Sequence, residues 1–240
     1  MNNILAIAKR ELRSSFNSPI AYAVILGFLV FTSIWLYFID AFYAQGQADL
    51  RSYFTIMPLV FAFLAPALTM RSWAEERRLG TYELLLTMPF TEAQLVVGKY
   101  LASLALAAVA LALTIPVPLS ASLLGSFDTG ILLAQYLGIL FEAAAAVAVG
   151  QCLSSYSKNQ VTAFLVSVLA LIFLVLVDKV GRFLGLGGVA AALFNWLSLS
   201  FHFDAFSRGA VDLRDLAYFA SVSVLSLYLA AWGLTRRKWS

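Results

Sequence analysis

Charge is what this chain has least of. Of its 240 residues, 16 are Lys or Arg and 13 are Asp or Glu, 12% in all, where ordinary globular domains carry about a quarter. So few charges cannot form the polar skin that a soluble fold of this length needs. That argues against a soluble enzyme, a disordered chain and a fibrous repeat alike. Cys152 is the single cysteine and His202 the single histidine. An internal disulfide, a multi-cysteine metal site and a multi-histidine zinc centre are therefore excluded. No H-E-x-x-H is present, and no G-x-x-x-x-G-K-[ST]. Gly98-Lys99 lacks the upstream glycine spacing and the following hydroxyl, and Gly185-Leu186-Gly187-Gly188 has no phosphate-loop context. The chain is expected to bind no cofactor and no ATP by itself. The net charge of +3 is scattered, so no nucleic-acid partner is expected. Met1–Phe16 is too polar for a cleavable signal peptide, and no small-residue cleavage site follows the first apolar run.

Apolar sequence is what the chain has in quantity: 62% of residues are hydrophobic, with a mean hydropathy of +0.87. A helix crossing the ~30 Å hydrocarbon core needs about 20 mostly apolar residues. Six stretches satisfy this: 20–39, 53–70, 100–127, 130–153, 160–177 and 216–235. The second carries Pro58 and Pro66 and the third Pro116 and Pro118, natural bend points. Only the fourth contains a charge, Glu142. Backbone groups in lipid must pair internally, so the expected fold is an all-α integral membrane protein. Runs this continuous do not alternate as barrel strands would. No internal repeat is visible, and residues 1–240 read as one membrane domain.

Six spans place both termini on one side. That side would hold Lys9, Arg10, Arg13, Arg71, Arg77, Arg78, Lys99, Lys158, Arg236, Arg237 and Lys238. The other would hold Arg51, Lys179, Arg182, Arg208 and Arg214. The bias predicts cytoplasmic termini.

Two connecting segments stand out. Residues 71–92 concentrate Arg71, Glu75, Glu76, Arg77, Arg78, Glu83 and Glu92; Gly80 interrupts the pattern, Thr81 sits where a helix N-cap would, and Pro89 stops the short helix carrying Leu84–Leu86. This is either a solvated turn or a rigid docking element for a cytosolic partner. Residues 179–215 enclose an uncharged stretch, Val189–Phe203, too interrupted for a span and suited to an interfacial or re-entrant helix. It is either a packed lid or a platform for a partner, with Trp196, His202, Phe203 and Arg208 as contact candidates. At the N-terminus, Ile4, Leu5, Ala8 and Leu12 lie at near-helical spacing against Lys9, Arg10 and Arg13. That pattern suits a helix in the headgroup plane, or simply a basic flank. Glu142 needs an interior position, protonation or a partner, because a bare carboxylate at bilayer depth costs several kcal/mol. It is a substrate or coupling contact, or a structural hydrogen bond to Gln135, Gln151 or a hydroxyl.

The run EERRLGTYELLLTMPFTEAQLVVGKYLA (Glu75–Ala102) resembles the segment after the second span of ABC-2 type permeases. The resemblance recurs in KRELRSSFNSPIAY (Lys9–Tyr22), PALTMRSWAEE (Pro66–Glu76), YSKNQVTAF (Tyr156–Phe164) and FHFDAFSRGAVDLRDLAYF (Phe201–Phe219). It spans the whole chain and is most similar to the permease subunit of gliding-motility-type ABC transporters. The resemblance implies six transmembrane helices, an N-terminal elbow helix within residues 1–18, and a coupling helix within 71–92. The ATPase-docking residues would then be Glu75, Glu76, Arg77, Arg78, Gly80, Thr81, Glu83, Leu84 and Pro89. The implied partners are a second permease, as homo- or heterodimer, and two copies of a cytosolic ATPase that carries the ATP and Mg. An auxiliary subunit with a large extracytoplasmic domain and the lipid of a bacterial inner membrane complete the set. The implied work is export or mechanical signalling to that outer partner, with no catalysis by this chain. An ATP-independent carrier or channel, or a structural anchor, is the alternative.

Overall fold

A computed structural model describes residues 2–40, 50–80, 90–122, 128–185 and 187–238. Within these residues every regular element is helical. Helix α1 (Asn2–Phe16) is followed by a corner at Ser18, and α2 (Pro19–Ile34) starts with proline in its first turn, where the missing N–H costs nothing. A π-helical turn, Trp35–Ile39, extends α2 to its end. The short α3 (Arg51–Thr55) leads into α4 (Met57–Thr69), and after a one-residue break at Met70 α5 (Arg71–Leu79) continues the same rod. Gly80 ends it at φ 72°, a left-handed conformation that glycine adopts without strain. Then come α6 (Glu92–Ala112), α7 (Pro116–Ala121), α8 (Thr129–Tyr156) and α9 (Gln160–Phe183). The chain closes with α10 (Gly188–Leu197), α11 (Leu199–Ser207) and α12 (Leu213–Lys238).

Six helical stretches are long and apolar enough to span a membrane: Pro19–Ile39, Met57–Leu79, Glu92–Ala121, Thr129–Tyr156, Gln160–Phe183 and Leu213–Thr235. They correspond one for one to the six apolar runs, but their ends differ. The third helix begins eight residues before Tyr100, because Thr91 and Gln94 form a reciprocal capping box that starts it in polar sequence. The fifth runs on through Phe183, because Asp178 and Arg182 pair one turn apart and let the helix continue past its apolar stretch. Prolines mark the breaks at Ile56 and Leu113–Ile115, whereas Pro66 sits inside an unbroken α4.

Helix α8 is the central post. It packs against α4, α5, α6, α9, α11 and α12, and the small residues Ala143, Ala145, Ala146 and Ala148 are buried along it. Between apolar helices in lipid there is little hydrophobic drive to associate, so close van der Waals packing at small residues carries the contact. One large core fills the middle of the bundle around Phe54, Phe61, Ile139, Phe203 and Phe206. A second, smaller one lies at the end bearing both termini: Ile7, Trp73, Leu95, Val96, Cys152, Ala230 and Leu234. Through it α1, α5, α6, α8 and α12 share one cluster.

Candidate functional site

The second core surrounds a buried charge. Lys99 is two turns into α6 and only 2% exposed. Its Nζ donates to Glu76 Oε1 at 2.7 Å and to the Ser72 carbonyl at 2.9 Å, lies 3.4 Å from Glu11 Oε2, and sits 5.0 Å from the centre of the Trp73 ring. An ammonium taken out of water needs each of its three donors engaged, and here the acceptors come from two other helices, α5 and α1. The neighbouring Gly98 permits this approach. A Cβ there would fall 2.6 Å from Ile7 Cγ2 and 3.2 Å from the Ile4 carbonyl, so only glycine lets α1 lie against α6. The other side of the junction is fixed from α8. Ser154 Oγ accepts from Trp73 N and donates to the Met70 carbonyl at the α4–α5 break, and Gln151 donates to the Val96 carbonyl at 2.9 Å.

The residues expected to dock a partner divide into two groups. Glu76 is turned inward onto Lys99, and Arg77 donates to the carbonyls of Ser155 and Ser157 at the end of α8, where a cation complements the helix dipole. These two hold the bundle together. Glu75 accepts two hydrogen bonds from Arg71, at 2.7 and 2.8 Å, on the partly open face of α5. Arg78, Leu79 and Gly80 are exposed. Thr81, Glu83, Leu84 and Pro89 lie outside the described residues. On α1, Lys9, Arg10 and Arg13 are exposed, and Arg10 pairs with Glu11. The apolar face differs from the expected one: Ile7 is its buried centre, and Leu5 is 60% exposed. Sequence reasoning missed Lys99 and Glu11 as a pair, since Lys99 reads as the basic end of a loop. The only local signal was a lysine beside glycine at the head of an apolar run.

A family profile described as ABC-2 family transporter protein matches residues 5–190. The chain belongs to this family. No curated protein matches the chain. The ABC-2 match contains most of α1, the Lys99 junction and five of the six spans.

Elsewhere in this ABC-2 protein the remaining candidates are structural neighbours of the bundle. Glu142 is 1% exposed at the middle of α8, and its Oε2 has no hydrogen-bond partner among the described residues. The amides expected to reach it do not: Gln135 donates to the Ser207 carbonyl and Gln151 to that of Val96. At the end opposite the termini, α10 and α11 form a lid in two pieces, broken at Ser198, which caps α11 and donates to Asp178 Oδ1 at 2.9 Å. His202, on the inner face of α11, is buried, with Nδ1 2.6 Å from Asp215 Oδ1 and its ring stacked on Tyr218 at 3.8 Å. Phe203 is buried in the main core. Both were contact candidates under the platform reading of this segment; the structure buries them, His202 against Tyr218 of α12 and Phe203 against Gly138 of α8. Trp196 and Arg208 remain exposed. Asp204, exposed beside them, has its carboxyl pushed above the usual range by partial burial, which the nearby Arg208 offsets. Among the described residues no group of three His, Cys, Asp or Glu could hold a metal ion.

Proposed function

We propose that the chain is the permease subunit of an ABC transporter in which a separate cytosolic ATPase subunit, in two copies, carries ATP and Mg and supplies the hydrolysis. Two permeases pair, and the set sits in a bacterial inner membrane with both termini cytoplasmic. ATP-driven closure of the ATPases pushes on the 71–92 segment. The single observation supporting this is the Lys99 junction, because it ties the rod of α4 and α5 to both α1 and α6. Force delivered beyond Gly80 would reach the second and third spans together rather than one alone. The sequence blocks quoted above favour the gliding-motility-type subgroup. For that subgroup the output is export or mechanical signalling to an auxiliary subunit with a large outer domain. The exposed side chains of Trp196 and Arg208 are the contact residues for that subunit.

The experiment is purification in mild detergent with identification of the ATPase that accompanies the chain, followed by charge reversal within the 71–92 segment. Arg78→Glu and Glu83→Lys should weaken co-purification and coupled ATPase activity while the protein still inserts. Unchanged co-purification and unchanged coupled activity in both variants would sink the proposal. A catalytically dead ATPase that leaves the cellular function intact would point to an anchor instead.

A further inference from the structure

Three cavities run end to end along one side of the bundle. The first, of about 510 Å³, is a polar cleft enclosed by α1, α5 and the start of α6. Arg10, Arg71 and Lys99 line it together with Glu11, Glu75 and Glu76, and Ser14 and Ser15 add hydroxyls. A slot of about 60 Å³ leads from it, sharing Ser15, Ser18, Leu68 and Arg71 with the cleft. The slot shares Val24 and Ala67 with a third cavity, a groove of about 450 Å³ between α2 and α4. All ten residues lining that groove are apolar or glycine, among them Phe28, Val60, Leu64 and Phe164. Polarity therefore falls in one direction, from the cleft beside α1 to the groove between α2 and α4.

We propose that this chain of cavities is a binding site for one zwitterionic glycerophospholipid, with an amine-bearing headgroup in the cleft and an acyl chain threaded through the slot into the groove. The site rests only on the chain spanning a membrane; which leaflet it faces rests on the orientation proposed above. Charge decides the headgroup. The cleft holds three cations and three carboxylates, so it is close to neutral and presents both signs. Arg71 is partly exposed and donates one N–H to Ser18 and two to Glu75, and Ser18 makes no side-chain cap to α2. The amino-terminal end of α2, with its partial positive charge, therefore opens on the slot beside Arg71, where a phosphodiester would sit. The exposed rim residue Arg10, paired with Glu11, adds a second cation, and a zwitterion exchanging with the Arg71–Glu75 ion pair would place its phosphodiester at Arg71 and its ammonium at Glu75. An anionic lipid would bring a net charge to a cleft whose three cations each already face a carboxylate. The acyl chain contributes burial that a free phosphate or a headgroup without tails cannot.

Native mass spectrometry of the detergent-purified full chain tests this, after delipidation and reloading from an equimolar mixture of phosphatidylethanolamine and phosphatidylglycerol. One phosphatidylethanolamine per chain is expected. Arg71→Gln removes a charged hydrogen-bonding group and Ala67→Phe blocks the slot. Each should weaken retention by about tenfold or more. Leu169→Trp, on an exposed face of α9 away from the groove, should retain lipid as the wild type does. Phosphatidylethanolamine should also raise the melting temperature of the wild type and of Leu169→Trp but not of Ala67→Phe. Excess phosphoethanolamine or inorganic phosphate should not displace it. Preference for phosphatidylglycerol would overturn the headgroup assignment. Displacement by phosphate alone would reduce the site to an anion cleft. Equal retention by Ala67→Phe, or no bound lipid in the wild type, would overturn the site itself. None of these outcomes depends on an ATPase, so failure here leaves the permease proposal standing, and failure there leaves this one.

Discussion

A lysine beside glycine decides more about this protein than any of its aromatic side chains. Lys99 is the only fully buried lysine among the described residues, and its charge is acceptable only because Glu76, Glu11 and the Ser72 carbonyl converge on it. Removing one partner from a buried pair leaves the other uncompensated, at a cost of about 3–5 kcal/mol, whereas replacing both with groups of similar shape is often neutral. Lys99→Met keeps the stem over Trp73 and should lower the melting temperature in detergent by several degrees. The double variant Lys99→Met with Glu76→Gln should recover most of the loss. Equal losses in the single and double variants would mean that the two residues are not coupled. The arrangement around Glu142 is of the opposite kind, a buried carboxyl with an oxygen that nothing in the described structure satisfies. Sequence reading reached Glu142 by its isolation and passed over Lys99, because pairing across helices leaves no mark on local sequence.

Among the elements, α1 shows how little holds an amphipathic helix in place. Its face toward α6 contains one fully buried side chain, Ile7, seated against Gly98. Gly98→Ala would push a methyl into Ile7, an overpacking that costs about 1–3 kcal/mol when neighbours cannot yield. Amide hydrogen exchange in α1 should then rise while the rest of the bundle stays protected, and adding Ile7→Ala should restore the protection. Unaltered exchange in Gly98→Ala would show that α1 is held elsewhere. The near-helical spacing of apolar residues pointed to a helix at α1, with a basic flank as the alternative, but not to its rotation: Leu5 is exposed and Ile7 buried. The same holds for α5. Its charges read as a docking face, yet Glu76 and Arg77 are used internally and Glu75 pairs with Arg71. Burial on an otherwise polar helix depends on what packs against it.

At the scale of the whole molecule, the single cysteine makes orientation measurable. Cys152 is 8% exposed, so it should stay silent to a membrane-impermeant maleimide. Ser14→Cys on α1 and Val211→Cys beyond α11 place new thiols at opposite ends of the bundle, both at exposed positions. In intact cells Val211→Cys should label and Ser14→Cys should label only after permeabilisation. The reverse pattern would overturn the cytoplasmic assignment of the termini. The bundle has one feature that a list of spans does not convey: α8 touches most of the other helices, so the two ends are linked through a single post.

The count and order of the six spans, their all-helical character and the membership of the chain in the ABC-2 family were legible in its sequence. Length and hydropathy alone determine whether a helix can cross lipid, and those are one-dimensional properties. Pro58 and Pro116 were legible as bend points because proline acts within a turn, but Pro66, which reads the same way, sits inside an unbroken helix. Tertiary structure alone decided that Lys99, Glu76 and Glu11 meet, that His202 and Phe203 form the buried face of the lid, and that a polar cleft opens into an apolar groove. Each joins residues far apart in the chain, and the free energy that places them is the requirement that a buried charge or ring find its partner once the helices have packed.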